Sequence, residues 1–148
     1  VHLNGKPCEN KIRSLEVSNF VSQLATLGEL RKQMVLVQHS LGIKKGVVMD
    51  GRDIGTVVFP NAELKFYLES SLKIRAKRRY NELILTEKKI SLDQVLENII
   101  QRDNQDINRI HSPLKKADDA IVINTDNLSL DELQKKLLSY IKPLISKN

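Results

Sequence analysis

A short apolar segment that runs into a glycine-rich loop constrains the fold of this chain more than any other feature. Val47, Val48 and Met49 are followed by Asp50, and the sequence continues as Gly-Arg-Asp-Ile-Gly over residues 51–55. An apolar run closed by Asp and Gly is typical of a buried strand that enters a tight loop. In open α/β sheets, ligands bind just beyond the carboxyl ends of strands, so this loop is a candidate binding site.

The loop also carries the side chains that such a site needs. Arg52 offers a forked donor for a phosphate or a base, and Asp53 offers an acceptor for an amino group or water. A turn with a surface ion pair is the alternative interpretation. The grouping of this pair with Gly51, Gly55 and the strand-end Asp50 favours a binding site.

The order of the remaining elements predicts an α/β fold with a parallel sheet, because strands alternate with helices along the chain. A hairpin turn is expected at Asn4-Gly5, and capping boxes at Ser91 and Ser129 mark two helix starts. The predicted strands cover residues 47–49, 64–68 and 120–123. The predicted helices cover residues 15–26, the stretch between Gly28 and Gly42, 70 or 71 to about 85, 91–110 and 129–140.

Composition narrows the class of protein. The 148 residues are 41% hydrophobic and 28% charged, which is an ordinary globular composition. The net charge of +6 is concentrated near residues 73–79 and attracts polyanions in general. The one cysteine, Cys8, favours a reducing, cytoplasmic setting, and no Cys/His set has metal-ligand spacing. No apolar run is long enough for a membrane span.

A helical triplet is the second candidate site. Arg102, Asp106 and Arg109 are spaced by four and three residues, so they share one face of a helix. A solvated salt-bridge ladder is the simplest explanation. An Asp held between two Arg also fixes guanidinium groups for a sugar hydroxyl and a phosphate.

Both segments match one family. Residues 50–60, Asp-Gly-Arg-Asp-Ile-Gly-Thr-Val-Val-Phe-Pro, resemble the central signature of bacterial cytidylate kinases, and residues 102–109 fit the family pattern Arg-Asp-x-x-Asp-x-x-Arg. The resemblance runs from Leu3-Asn4-Gly5 to the last helix. It implies a parallel sheet of the P-loop kinase type flanked by helices. It also implies transfer of the ATP γ-phosphoryl group to CMP or dCMP with Mg²⁺.

The resemblance assigns a role to ten residues. Those at the monophosphate site are Ser22, Arg31 and Asp53 for the cytosine edge, Arg102 and Asp106 for the ribose, and Arg52 and Arg109 for the phosphate. Arg75 and Arg78 correspond to lid-hinge arginines that face the transferring phosphoryl group, and Asp50 corresponds to the carboxylate that orients Mg²⁺ through water. The chain departs from the family at Gln105, where many relatives carry Arg, and at Gly28, where Pro is common.

The phosphate-binding loop of such kinases is not found in the sequence. No Gly-x-x-x-x-Gly-Lys-Ser/Thr motif occurs in the 148 residues. We therefore expect one kinase domain truncated at its amino terminus, without the central strand. Its predicted parts are a monophosphate-binding region at 1–45, a core at 46–80 and 102–148, and a lid near 81–101. Such a chain is expected to be inactive alone, and unstable or self-associating.

Two other functions fit parts of the sequence. A catalytically dead module that still binds CMP shares the same pocket, and a basic RNA-binding protein explains the positive charge. The scarcity of aromatic residues, 4% of the chain, and the acidic residues among the arginines weigh against RNA. We expect neither a nucleic acid nor a membrane as partner.

Overall fold

The structure is a computed structural model that describes residues 1–85 and 89–145, without the side chains of residues 10 and 22. Helices predominate, and two pairs of short strands accompany them. The elements are β1 His2–Leu3, β2 Lys6–Pro7, α1 Glu9–Ile12, α2 Leu15–Leu24, α3 Gly28–Gly42, a π-helical segment Ile54–Val58, β3 Phe66–Glu69, α4 Leu72–Leu83, α5 Leu92–Asn108, β4 Ile121–Asn124 and α6 Leu130–Ile145.

The amino-terminal hairpin forms as predicted. β1 pairs with β2 in antiparallel fashion, with Leu3 opposite Lys6. Asn4 and Gly5 connect them with φ angles of 51° and 76°. Two successive positive φ angles are the signature of the tight hairpin turn that Asn-Gly favours.

The core lies around a parallel strand pair, which confirms the α/β class. β3 and β4 run parallel, with Phe66 opposite Ile121 and Glu69 opposite Asn124. α4 and α2 both pack against α5. The buried apolar side chains come from the π-helical segment, both packed helices and β4; they are Val58, Ala76, Leu83, Val95 and Ile123.

The predicted strand at 47–49 is wrong. Residues 47–50 have no regular structure, and the side chain of Val48 is 96% exposed. An apolar triplet becomes a strand only where a neighbour accepts and donates its backbone hydrogen bonds. In the described part of the chain, β3 pairs only with β4, and residues 47–49 pair with no strand. The other two parallel strands begin one or two residues later than predicted.

Both predicted capping boxes are present. The Gln94 N–H donates to the Ser91 hydroxyl at 3.2 Å, and the Ser91 N–H donates to the Gln94 side chain at 2.9 Å. Ser129 and Glu132 exchange the same bonds at the start of α6. α6 continues to Ile145, beyond the predicted end near residue 140. Pro143 lies in its last turn, where the missing N–H removes a single helical hydrogen bond.

The loop after Gly51 is more ordered than the sequence predicts. Residues 54–58 form a π-helical turn in which the N–H of Phe59 donates to the carbonyl of Ile54 at 2.6 Å. Val58 is 1% exposed and fastens the turn to the core. None of the helices in the described ranges has the length and apolar character needed to cross a bilayer.

Candidate functional site

Four arginines and two aspartates from three separate segments meet at one place, which we call the arginine cluster. Its members are Arg31 of α3, Arg52 and Asp53 of the loop before the π-helical segment, and Arg102, Asp106 and Arg109 of α5 and its carboxyl end. The structure thus brings together six of the ten predicted site residues.

Asp53 holds the α3 side of the cluster. Its carboxylate accepts a hydrogen bond from Nη2 of Arg31, and the residue is 7% exposed. Nη2 of Arg109 lies 3.8 Å from its other oxygen, within ion-pair range but beyond hydrogen-bonding distance. The backbone carbonyl of Asp53 accepts from Val57 at 2.8 Å, so the π-helical turn fixes the position of this residue.

Asp106 holds the α5 side. It is 6% exposed and accepts from Nε of Arg52 at 2.8 Å and from Nη1 of Arg109 at 3.1 Å. Nε of Arg102 lies 4.0 Å from the same carboxylate. The spacing of four and three residues predicts that Arg102 and Arg109 share a helix face with Asp106. The contact of Arg52 with Asp106 is not predicted by spacing, because it joins two distant segments.

The cluster carries more positive than negative charge. Four guanidinium groups face two carboxylates, which leaves two positive charges at neutral pH. The Arg109 side chain is only 4% exposed, yet its Nη2 has no hydrogen-bond partner among the described residues, and neither does Nε of Arg31. Buried donors without partners destabilise a fold unless a ligand satisfies them. The cluster is therefore suited to a dianion with several oxygen acceptors.

Burial lowers the pKa of two of these arginines. For Arg109, loss of hydration lowers the pKa most and repulsion from Arg31 adds to it, while Asp106 and Asp53 act in the opposite direction. For Arg102, loss of hydration again leads, followed by repulsion from Arg52. Both groups stay charged at neutral pH because a guanidinium ion loses its proton only under strongly basic conditions.

Arg75 and Arg78 contact different parts of the core. Nη1 of Arg75 donates to Asp103 of α5 at 2.7 Å. Nη2 of Arg78 donates to the carbonyl of Thr125, just after β4, at 2.6 Å. Within the described residues neither arginine forms a hydrogen bond or an ion pair with a member of the arginine cluster.

The last two predicted residues are less well defined. Ser22 lies in α2, but its side chain is outside the described part of the structure. Asp50 is exposed at the start of the loop. The described residues contain no group of three or more His, Cys, Asp or Glu side chains that could hold a metal ion. A single carboxylate still suits Mg²⁺, which usually keeps several waters and binds substrate phosphates as well.

Three side chains that the sequence did not predict contact predicted site residues or the end of the signature segment 50–60. The Ser18 hydroxyl accepts from Nη1 of Arg102 at 3.2 Å, and Ser18 lies one helical turn before Ser22, a spacing that gives a usable signal. Asp103 is the partner of Arg75. Lys65, with a side chain 7% exposed, donates to the Pro60 carbonyl at 2.5 Å and to Asp119 at 2.9 Å.

An open groove lies between α2 and α5 next to the cluster. Its larger cavity, about 430 Å³, is bounded by Asn19, Glu97 and Asn98 among others. A smaller cavity of about 190 Å³ is lined by both helices and includes Arg102. Polar side chains from both helices therefore extend the site away from the buried carboxylates.

Comparison with known proteins identifies the family. A sequence-family model described as Cytidylate kinase matches residues 1–143. The cytidylate kinase of Bacteroides fragilis is 49% identical over 138 residues, which are 93% of this chain and 60% of the relative. The cytidylate kinase of Flavobacterium johnsoniae is 45% identical over 98% of this chain and 63% of the relative. That of Halalkalibacterium halodurans is 44% identical over 96% of this chain and 64% of the relative. The chain spans about three fifths of the length of these relatives. It belongs to the cytidylate kinase family.

Proposed function

We propose that this chain carries the monophosphate-binding part of a kinase that transfers the γ-phosphoryl group of ATP to CMP or dCMP, giving CDP or dCDP. The observation that carries the proposal is the arginine cluster. It holds two surplus positive charges and two buried donors, Nε of Arg31 and Nη2 of Arg109, that have no hydrogen-bond partner among the described residues. A nucleoside monophosphate supplies the dianion and the additional acceptors. The names of the relatives support cytidine as the nucleoside.

Each part of the monophosphate has a proposed partner. Arg52 and Arg109 bind the phosphate, because guanidinium forks match its oxygens. Arg102 and Asp106 bind the ribose hydroxyls. Arg31, Asp53 and Ser22 read the base; a carboxylate accepts from an amino group, and an arginine donates to a carbonyl or ring nitrogen. A pocket that hydrogen-bonds a substrate in this way rejects analogues that leave its groups unpaired.

The transfer itself depends on charge and position. Little covalent chemistry is required of a phosphoryl-transfer enzyme, so cations around the phosphates contribute most. We assign Arg75 and Arg78 to the transferring group. The pairing of Arg75 with Asp103 at 2.7 Å is consistent with an arginine kept in place before substrates arrive. Mg²⁺, when held through water by Asp50, neutralises phosphate charge.

ATP requires a phosphate-cradling loop, and no such motif occurs in the 148 residues. We therefore propose that these 148 residues do not include the central P-loop strand and that they alone do not catalyse. A coupled ADP-release assay with CMP, ATP and Mg²⁺ tests this in the chain and in a fusion that adds a P-loop segment. Rapid turnover by the unfused chain contradicts the proposal, and turnover by the fusion supports it.

Calorimetric titration separates the binding functions. We expect the chain to bind CMP more tightly than AMP and to lose this preference in Asp53→Ala, with Asp118→Ala, on the exposed turn before β4, as the matched control. A catalytically dead CMP-binding module would give the same titration result as the kinase. It would differ from the kinase in the ADP-release assay, where its fusion with a P-loop segment would stay inactive. Base-indifferent binding of RNA oligonucleotides that falls steeply with salt favours the RNA-binding alternative.

A further inference from the structure

We infer that Phe59 and Gly42 are positioning residues for the ion pair between Arg31 and Asp53, and thereby for base selection. The inference rests on the proposed function in one respect, the assignment of that ion pair to the base. Within the described residues, neither forms a hydrogen bond or an ion pair with a member of the arginine cluster. Their proposed effect is exerted through the direction of α3, the helix that carries Arg31.

α3 is weakly held along its length. None of its residues is buried, and most of its apolar side chains are exposed, Leu36 and Leu41 to 60% each. In the described part of the chain its main packing partner is the π-helical segment. The direction of α3 therefore depends on a few contacts at its ends.

The carboxyl end of α3 is held by an aromatic ring. A Cβ placed on Gly42 would lie 2.4 Å from two carbons of the Phe59 ring. Carbon atoms in normal contact are about 3.5–4.0 Å apart, so only glycine allows the ring to lie this close to the helix backbone. The His39 ring, one turn earlier, has its centroid 5.8 Å from that of Phe59.

The amino end is held by the ion pair. Arg31, in the first turn of α3, donates to Asp53, and the His111 ring packs against Gly28 beside it. Arg31 and Gly42 are eleven residues apart, or about 16 Å along a helix. Two attachments at that separation fix the direction of the helix, whereas one attachment leaves it free to pivot.

Both attachments belong to one rigid turn. Asp53 directly precedes the π-helical segment and Phe59 directly follows it. Hydrogen bonds from Val57 to the Asp53 carbonyl and from Phe59 to the Ile54 carbonyl connect the two ends. The turn therefore holds α3 at both ends, and a displaced Phe59 ring is expected to move Arg31 relative to its carboxylate partner.

Three variants of the whole chain test this without ligand. Gly42→Ala adds the methyl group that collides with the ring, at a helical position where alanine itself is favourable. Phe59→Leu removes the ring, and the double variant gives the methyl group the vacated space. Gln33→Ala, on the exposed face of α3, is the control. We measure hydrogen exchange of the Arg31 guanidinium by NMR.

The expected result is slow exchange in the native chain and in Gln33→Ala, and faster exchange in both single variants. The double variant should recover slow exchange. Equal exchange in the native chain and Gly42→Ala overturns the inference. So does a double variant that exchanges faster than either single variant, because relief of the collision should restore the pair.

Binding supplies the second readout. Gly42→Ala should reduce the preference for CMP over AMP by about tenfold, equal to ~1.4 kcal/mol, and the double variant should recover most of it. Affinity for ribose 5-phosphate should stay within about twofold, because its partners lie on the loop and α5. If Gly42→Ala loses affinity for CMP, AMP and ribose 5-phosphate alike, the variant is unfolded and the inference is overturned. A native chain that does not prefer CMP refutes the proposed function, while the exchange experiment still decides the role of Phe59.

Discussion

Nε of Arg52 donates a hydrogen bond to Oδ2 of Asp106 at 2.8 Å, joining two residues that lie 54 positions apart. The contact connects the glycine-rich loop to α5. It joins two short motifs, each explicable as a surface ion pair, into one charge cluster around two buried carboxylates. Three arginines form ion pairs with the Asp106 carboxylate.

We predict that Asp106→Asn destabilises the chain. The amide keeps the size of the carboxylate but leaves three guanidinium groups without its charge, and we expect the free energy of unfolding to fall by about 1–3 kcal/mol. Urea unfolding followed by circular dichroism measures this, with exposed Asp118→Asn as control. Equal stability of the two variants would show that the cluster is solvated rather than buried.

Arg109→Lys should weaken CMP binding more than it weakens the fold. A lysine keeps the charge but loses the planar fork. It also loses Nη2, which has no hydrogen-bond partner among the described residues and which we assign to phosphate. We expect an increase in Kd of about tenfold or more. Titration calorimetry provides the measurement, and Arg13→Lys, at an exposed pair with Glu9, is the control. An unchanged Kd argues against a phosphate role for Arg109.

Asp126 gives the chain a defined dependence on acid. Hydrogen bonds from the Ser70 hydroxyl, and then from the Ser71 backbone N–H, lower the pKa of Asp126 below its usual value of 3.8. A carboxyl group with a depressed pKa in the folded state stabilises the fold above pH 3.8 and loses this effect as the pH falls through its folded pKa.

Asp126→Asn should therefore be less stable than the native chain at neutral pH, and the difference should shrink below pH 3.8. Thermal unfolding from about pH 3 to pH 7 tests the prediction. Ser70→Ala should shift the same curve in the same direction by a smaller amount, since the Ser71 bond remains. A difference that stays constant with pH contradicts the assignment.

The isolated chain is expected to self-associate. Many large apolar side chains of the described residues are exposed, Val48, Ile110 and Leu130 to 96%, 91% and 84%, and their removal from water favours association. Sedimentation velocity should show a weight-average mass that rises with concentration. Val48→Asp should lower this increase, with Lys44→Gln, which changes the net charge by the same amount, as the control. A monomer that melts cooperatively at all concentrations rejects this prediction.

Local chemistry explains which elements the sequence predicted well. Asn4-Gly5 specifies its turn because both residues tolerate positive φ angles, and Ser91 and Ser129 specify helix starts because their side chains satisfy free N–H groups. The shared face of Arg102, Asp106 and Arg109 follows from helical periodicity. None of these features requires a contact from elsewhere in the chain.

The sequence failed to predict elements whose conformation depends on contacts with distant parts of the chain. Val47–Met49 has the composition of a strand, yet strand formation depends on neighbours that the residues themselves do not encode. The π-helical segment buries Val58, and Lys65 joins the Pro60 carbonyl, just after that segment, to Asp119, 54 residues from Lys65. No local signal in residues 54–58 predicts either contact.

By itself the sequence determined the α/β class and the helix starts at Ser91 and Ser129, and it supplied the arginines and aspartates that we propose as ligands of a phosphate ester. Only the tertiary structure decided that Arg31, Arg52 and Arg109 surround two buried carboxylates, while Arg75 and Arg78 are held by Asp103 and Thr125. The physical reason is that a guanidinium group takes its charge from its own chemistry, whereas its partner and its burial come from whichever segment folds against it.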